Sequence, residues 1–208
     1  MTDPTTEAGD AAGTARRDRG PVPGPDGKPR CPWGLSAPEY VAYHDEEWGR
    51  PVRGDRLLFE RLCLEAFQSG LSWLTILRKR ENFRRAFAGF DIPAVAGFGD
   101  DDVARLLADA GIVRNRAKIN AAITNARAAL ELKEGLSDLV WSYADAEPGP
   151  APRTLADLPA QTPASKRLAK DLRARGFVFT GPVTVYATMQ ACGLVNDHLE
   201  GCFARRAE

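Results

Sequence analysis

The chain has little histidine and little cysteine: two and four residues respectively among 208. Four cysteines do not make a disulfide framework in a chain long enough to bury a core of its own. No stretch approaches the ~20 consecutive apolar residues that a membrane-spanning helix needs. Residues 1–30 lack the apolar run of a secretory signal. Together these absences exclude a membrane helix and lead to the expectation of a cytoplasmic address. Net charge is absent too, since 28 basic residues balance 28 acidic ones. That excludes the bulk electrostatic pull of a strongly basic nucleic-acid binder, although a local basic face would still suffice for a short contact with phosphates. Strand signals are confined to Phe177-Val178-Phe179, too short to found a sheet.

What is present is helical periodicity. Residues 1–30 are rich in Gly, Pro, Thr and charge and are expected to form a disordered tail, leaving 31–208 as the folded domain. The spacing predicts helices over 38–48, 56–69, 73–87, 101–109, 115–133, 163–175, 182–191 and 196–203. Asp55, Ser72 and Thr162 stand where N-caps belong, the last followed by Pro163 at the first helical position. The proline-rich stretch from Glu147 to Pro159 reads as an irregular connection. The fold class expected is all-α.

Each histidine has a cysteine to match it. His198 and Cys202 are four apart and share one face if 196–203 is helical; Cys31 and His44 lie at the other end of the sequence. Two Cys and two His supply the sulfur and nitrogen set that zinc prefers, with no coordination position left for water, so such a site would be structural. The alternative is a pair of ordinary hydrogen-bonded histidines beside buried thiols. Cys63 and Cys192 have no nearby His and are expected in the core.

Within the helix around residues 56–69, an angular count at about 100° per residue puts Glu65 about 20° from Leu58, at the border of the apolar arc. A carboxylate there is costly unless paired. It could reach an arginine or lie just past the arc in solvent, or it could line a pocket whose ligand is its partner. Trp33, Tyr40, Tyr43, Trp48, Phe67 and Trp73 surround it in sequence. Aromatic faces attract cations and stack on flat bases, although any one of them could be ordinary core, and Trp48 and Phe67 are assigned there. Residues 106–118 read as a helix, a turn at Gly111 and a second helix. Such a turn can offer N–H groups to a phosphate, and Arg114, Arg116 and Lys118 add positive charge, although any two-helix hairpin can turn at glycine.

Four ordered motifs resemble the 3-methyladenine DNA glycosylase I family: Cys31-Pro32-Trp33, Tyr40 to Gly49, Leu64 to Trp73, and Met189 to His198. The resemblance spans Cys31 to about Cys202. It implies a helix-hairpin-helix DNA glycosylase fold with one structural zinc ion on Cys31, His44, His198 and Cys202, tying the two ends of the domain. It implies a base pocket of Trp33, Tyr40, Tyr43, Glu65 and Trp73, in which Glu65 hydrogen-bonds the purine edge and Tyr43 and Trp73 stack on it. Double-stranded alkylated DNA would be the partner, free 3-methyladenine the product, and a monomer the working form. Leu71, at the Gly70-Leu71 corner, would be a wedge into the gap left by the flipped base. No acid occurs from Ile119 to Leu130, where glycosylases of this superfamily commonly place a water-activating Asp, so no general base is assigned. A non-catalytic, zinc-containing helix-hairpin-helix module is the competing reading; it would bind DNA and release no base.

Overall fold

The computed structural model describes residues 18–144 and 149–205. Nine α-helices dominate these residues: α1 (Pro38–Ala42), α2 (Asp55–Gln68), α3 (Trp73–Ala86), α4 (Ile92–Ala96), α5 (Asp100–Ala108), α6 (Arg116–Leu130), α7 (Leu136–Trp141), α8 (Pro163–Ala174) and α9 (Pro182–Ala191). The mostly helical class agrees with the sequence reading, and no helix among the described residues is long and apolar enough to cross a membrane.

Helix α2 is the central element. Leu58, Phe59, Leu62, Cys63, Leu64 and Phe67 on it are buried, and it packs against α3, α6, α7 and α9. Phe67, Phe83, Phe87 and Phe90 form a chain of ring contacts with centroids 4.7–6.2 Å apart that ties α2 to the end of α3. Cys63 and Cys192 are buried in this core, as expected.

Helix starts follow local chemistry. Ser72 accepts from Thr75 N at 3.2 Å and Thr162 from Ser165 N at 3.1 Å, both as N-caps. Asp55 differs from expectation. The cap residue is Gly54, held at φ +89°, and the Asp55 carboxylate instead accepts from Ser137 N at 2.8 Å, joining α2 to α7.

Four further differences have physical causes. The expected helix 38–48 stops being α-helical at Ala42 and passes into a π-helical turn, Tyr43–Glu47, closed by Trp48 N donating to Tyr43 O. Residues 196–203 form turns instead of a helix: Arg205 takes the carbonyls of Asn196 and His198, and Cys202 N donates only three residues back, to Leu199 O. Phe177–Phe179 is no strand, because Asn125 claims both backbone groups of Val178. The strands lie instead at β1 (Val22–Pro23) and β2 (Pro29–Arg30), an antiparallel pair within the span expected to be tail. Arg30 anchors this pair through Asp45, at 2.8 Å. Residues 1–17 of the expected tail lie outside the described residues.

Candidate functional site

The π-helical turn turns two adjacent side chains to opposite tasks: Tyr43 enters a cavity and His44 a cluster of cysteine and histidine. The cavity measures about 360 Å³ and is walled by Trp33, Tyr40, Tyr43, Glu65 and Trp73, with Trp48, Gln68, Gln190, Ser36 and Ala187 completing it. All five residues expected in a base pocket therefore meet in one place, from the turn after Cys31, from α1, from the π turn, from α2 and from the first position of α3. Trp33 meets Tyr40 and Trp48 edge to face, whereas Tyr43 and Trp73 meet at a tilt of 43°. Trp33 meets Tyr40 at 5.7 Å and 89°, and Trp48 at 5.0 Å and 77°, while Tyr43 meets Trp73 at 5.5 Å. Edge-to-face packing of this kind fixes a rigid wall. The indole N–H of Trp73 is buried there with no acceptor among the described residues.

Glu65 is 6% exposed and makes no hydrogen bond to another described residue. Burial pushes its pKa up to about 8, against a smaller lowering by Arg61 one turn earlier. Arg61 donates through Nη2 to Glu47 at 3.0 Å and leaves its Nη1 buried with no hydrogen-bond partner among the described residues, and Glu47 also accepts two bonds from Arg80. The glutamate thus neither reaches an arginine through a hydrogen bond nor lies in solvent. It is an unpartnered carboxyl group in the wall of an aromatic cavity, and the Tyr43 hydroxyl beside it is held above the ordinary phenol range by burial and by Glu65.

The second cluster is Cys31, His44, His198 and Cys202, all buried, with ligand atoms within 4.8 Å of one another. Cys202 Sγ lies 3.5 Å from His44 Nε2 and 3.7 Å from His198 Nδ1; Cys31 Sγ lies 3.8 Å from His198 Nδ1. A tetrahedral ion with bonds of ~2.3 Å to sulfur and ~2.0–2.1 Å to nitrogen has sulfur–nitrogen edges of about 3.6 Å. The remaining ring nitrogens face outward onto acceptors, His44 Nδ1 onto Asp45 Oδ1 at 2.8 Å and His198 Nε2 onto the Trp48 carbonyl at 3.0 Å. Each imidazole therefore aims its lone pair at the thiols, as metal-binding histidines do. Leu199 N donates to Cys31 Sγ, and a bond from Cys31, with others from the two histidines, holds the Cys202 thiol far below its usual pKa. The cluster can hold a metal ion. Gly34 makes room for it: a Cβ there would lie 2.8 Å from the His44 ring.

A model of the family described as Methyladenine glycosylase matches residues 33–205. The chain belongs to the methyladenine glycosylase family. Among family members, the DNA-3-methyladenine glycosylase 1 of Escherichia coli (strain K12) is 50% identical over 177 residues, 83% of this chain and 95% of that protein. The DNA-3-methyladenine glycosylase of Haemophilus influenzae is 44% identical over 178 residues, 83% and 96% respectively. The structure of 3-methyladenine DNA glycosylase I from Staphylococcus aureus, solved to show 3-methyladenine recognition, superposes with a TM-score of 0.81 at 35% identity, covering 86% of this chain and 97% of that one.

In this methyladenine glycosylase, the residues singled out for DNA fall into two groups. Leu71 is 42% exposed at the corner between α2 and α3, where Gly70 takes φ +79°. Gly111 lies in the turn between α5 and α6, its N–H donating to Asp109 Oδ1 at 2.7 Å, with Arg114 and Arg116 exposed after it. Lys118 departs from the expectation of a phosphate contact. It is 8% exposed, and its ammonium donates to the carbonyls of Phe67 at 2.9 Å and Ser69 at 2.5 Å. The sequence reading missed Gln68, Gln190 and Ser36 in the cavity, and it placed Trp48 wholly in the core although that ring also lines the cavity. Gln68 and Gln190 carry the available signal, their places in the Leu64–Trp73 and Met189–His198 motifs; the Gln190 amide is held by Asp197 at 2.7 Å.

Proposed function

We propose that the chain is a monofunctional DNA glycosylase of base excision repair that hydrolyses the N-glycosidic bond of 3-methyladenine in alkylated duplex DNA after base flipping, leaving an abasic site. The observation that carries this reading is Glu65, a buried carboxyl group with no hydrogen-bond partner among the described residues, in a cavity of tryptophan and tyrosine faces. A volume near 360 Å³ lies within the ~300–1,000 Å³ of small-molecule pockets. The relatives' names, and the 3-methyladenine recognition reported for the S. aureus protein, support the choice of base.

Methylation at N3 puts a positive charge on the adenine and weakens its bond to the sugar. Neutral adenine brings no charge to balance Glu65, whereas the methylated base does, and aromatic faces add a cation–π preference. Flipping also costs less for a damaged base. Tyr43 and Trp73 stack on the ring, Glu65 accepts from the purine edge, and Trp33 and Tyr40 close the walls. The glycosidic bond breaks with its electron pair going to the base, which leaves neutral; water adds to the sugar carbon and releases its proton to solvent. The leaving group needs no protonation, so no acid or general base is assigned. Glu65 acts by binding and by electrostatic stabilisation.

Around this pocket, Leu71 is the wedge that fills the vacated stack, and the turn after Gly111 contacts phosphates in a helix-hairpin-helix manner through the exposed Arg114 and Arg116, the Gly111 N–H being already given to Asp109. Zinc is the ion that suits Cys31, His44, His198 and Cys202. With four protein ligands it clamps the two ends of the domain and supplies no chemistry. Incubation with methylated duplex DNA and analysis of released bases tests the proposal. Free 3-methyladenine is the expected product; its absence, from folded metal-loaded protein that still binds DNA, would establish the non-catalytic module instead.

A further inference from the structure

Lys118 stands in the first turn of α6, three residues after the N-cap Asn115, whose side chain accepts its amide at 3.1 Å. A cation is disfavoured there by the positive end of the helix dipole, and Lys118 is nearly buried, which lowers its pKa below that of an ordinary lysine. Neither fact helps α6. The side chain serves another helix: its ammonium sits at the C-terminal end of α2, on the carbonyls of Phe67 and of the cap residue Ser69. The neighbouring carbonyls are satisfied locally, Ala66 O by Ser69 N and Gln68 O by Leu71 N. The carbonyls of Phe67 and Ser69 thus take their side-chain hydrogen bonds at the end of α2 from Lys118.

The segment so held joins cavity-lining residues to an exposed corner. Glu65 and Gln68 line the cavity, Leu71 projects at the corner, and Trp73 lines the cavity again. Lys118 follows directly on the turn that carries Gly111, Arg114 and Arg116. Lys79 closes the same unit from α3, donating to Ala110 O at 2.9 Å.

We infer that Lys118 is a positioning residue: it fixes the Ser69–Leu71 corner to the α5–α6 turn, so that wedge and phosphate contacts engage DNA in one geometry. The inference rests on the assignment of Leu71 as wedge. Since the aromatic walls are also fixed by their own ring contacts, losing the tie should disturb flipping more than recognition of an already free base.

The test compares Lys118→Met, Lys118→Arg and Leu71→Ala in the full-length metal-loaded protein. Two quantities are read: affinity for free 3-methyladenine, followed by quenching of tryptophan fluorescence, and single-turnover excision from methylated duplex DNA. For Lys118→Met we expect free-base affinity within about twofold of wild type, excision slowed about tenfold or more, and partial recovery in Lys118→Arg. In the Leu71→Ala background, Lys118→Met should slow excision little further, because both changes disable one device. Equal losses in affinity and excision, or excision unchanged in Lys118→Met while Leu71→Ala slows it, would overturn the positioning role. An unaffected Leu71→Ala would instead remove the wedge assignment on which it rests.

Discussion

Replacing Glu65 with glutamine should make the protein more stable and less active, and the stability gain should depend on pH in a defined direction. In the folded chain the carboxyl group titrates at about 8, against 4.5 for an unperturbed glutamate. Between those values the folded state holds a proton that the unfolded state has released. Stability therefore falls as pH rises through this window, by about 1.4 kcal/mol per pH unit. Glutamine carries no such term. The difference in unfolding free energy between Glu65→Gln and wild type should widen from pH 4.5 upward, reach ~3 kcal/mol at pH 7 and level off near ~5 kcal/mol above pH 8. At about 2–4 °C per kcal/mol for a chain of this size, the gap in Tm should grow by on the order of 10 °C across the window. Thermal unfolding of both proteins in matched buffers from pH 4.5 to 8.5, with metal present throughout, reads it directly. Parallel curves, or a gap that narrows with pH, would refute the claim that the folded protein holds a buried, unpartnered acid.

Four further outcomes follow from the same structure. Metal analysis should find one zinc ion per chain, and Asp45→Ala should weaken zinc binding about 10–100-fold by releasing the His44 ring, as measured by chelator competition. Ser72→Ala removes the cap of α3 and with it the fixed start of the helix that presents Trp73. It should cost about 1 kcal/mol in denaturant unfolding, with no change in slope. Trp73→Ala should reduce affinity for free 3-methyladenine by about one stacking interaction, ~1–3 kcal/mol; unchanged affinity by fluorescence or calorimetry would remove the ring from base recognition.

Much of this molecule can be read from the sequence because its signals are local. The period-3.6 runs and the caps at Ser72 and Thr162 locate the long helices to within a few residues, and Glu65 betrays itself by lying on an apolar arc. What escaped reading depends on contacts distant in sequence. Arg205 draws off the carbonyls that a helix over 196–203 would need, yet the turns still bring His198 and Cys202 together. Asp55 leaves its expected cap position to serve Ser137. Helices α4 and α7 are too short to carry a periodic signal. Lys118, a basic residue beside a glycine turn, resembles a phosphate ligand until its partners, the carbonyls of Phe67 and Ser69, are seen. Gln68 and Gln190 look like surface amides in the sequence and reach the cavity only because α2 and α9 pack together.

The pH dependence of excision tests the central claim most directly. If Glu65 works as a carboxylate facing a cationic base, single-turnover release of 3-methyladenine under subsaturating enzyme should rise about tenfold per pH unit and flatten near pH 8, with one ionisation. The Glu65→Gln protein should be slow at every pH, with no such break. A glutamine variant that excises as fast as wild type, with the same pH profile, would contradict the account.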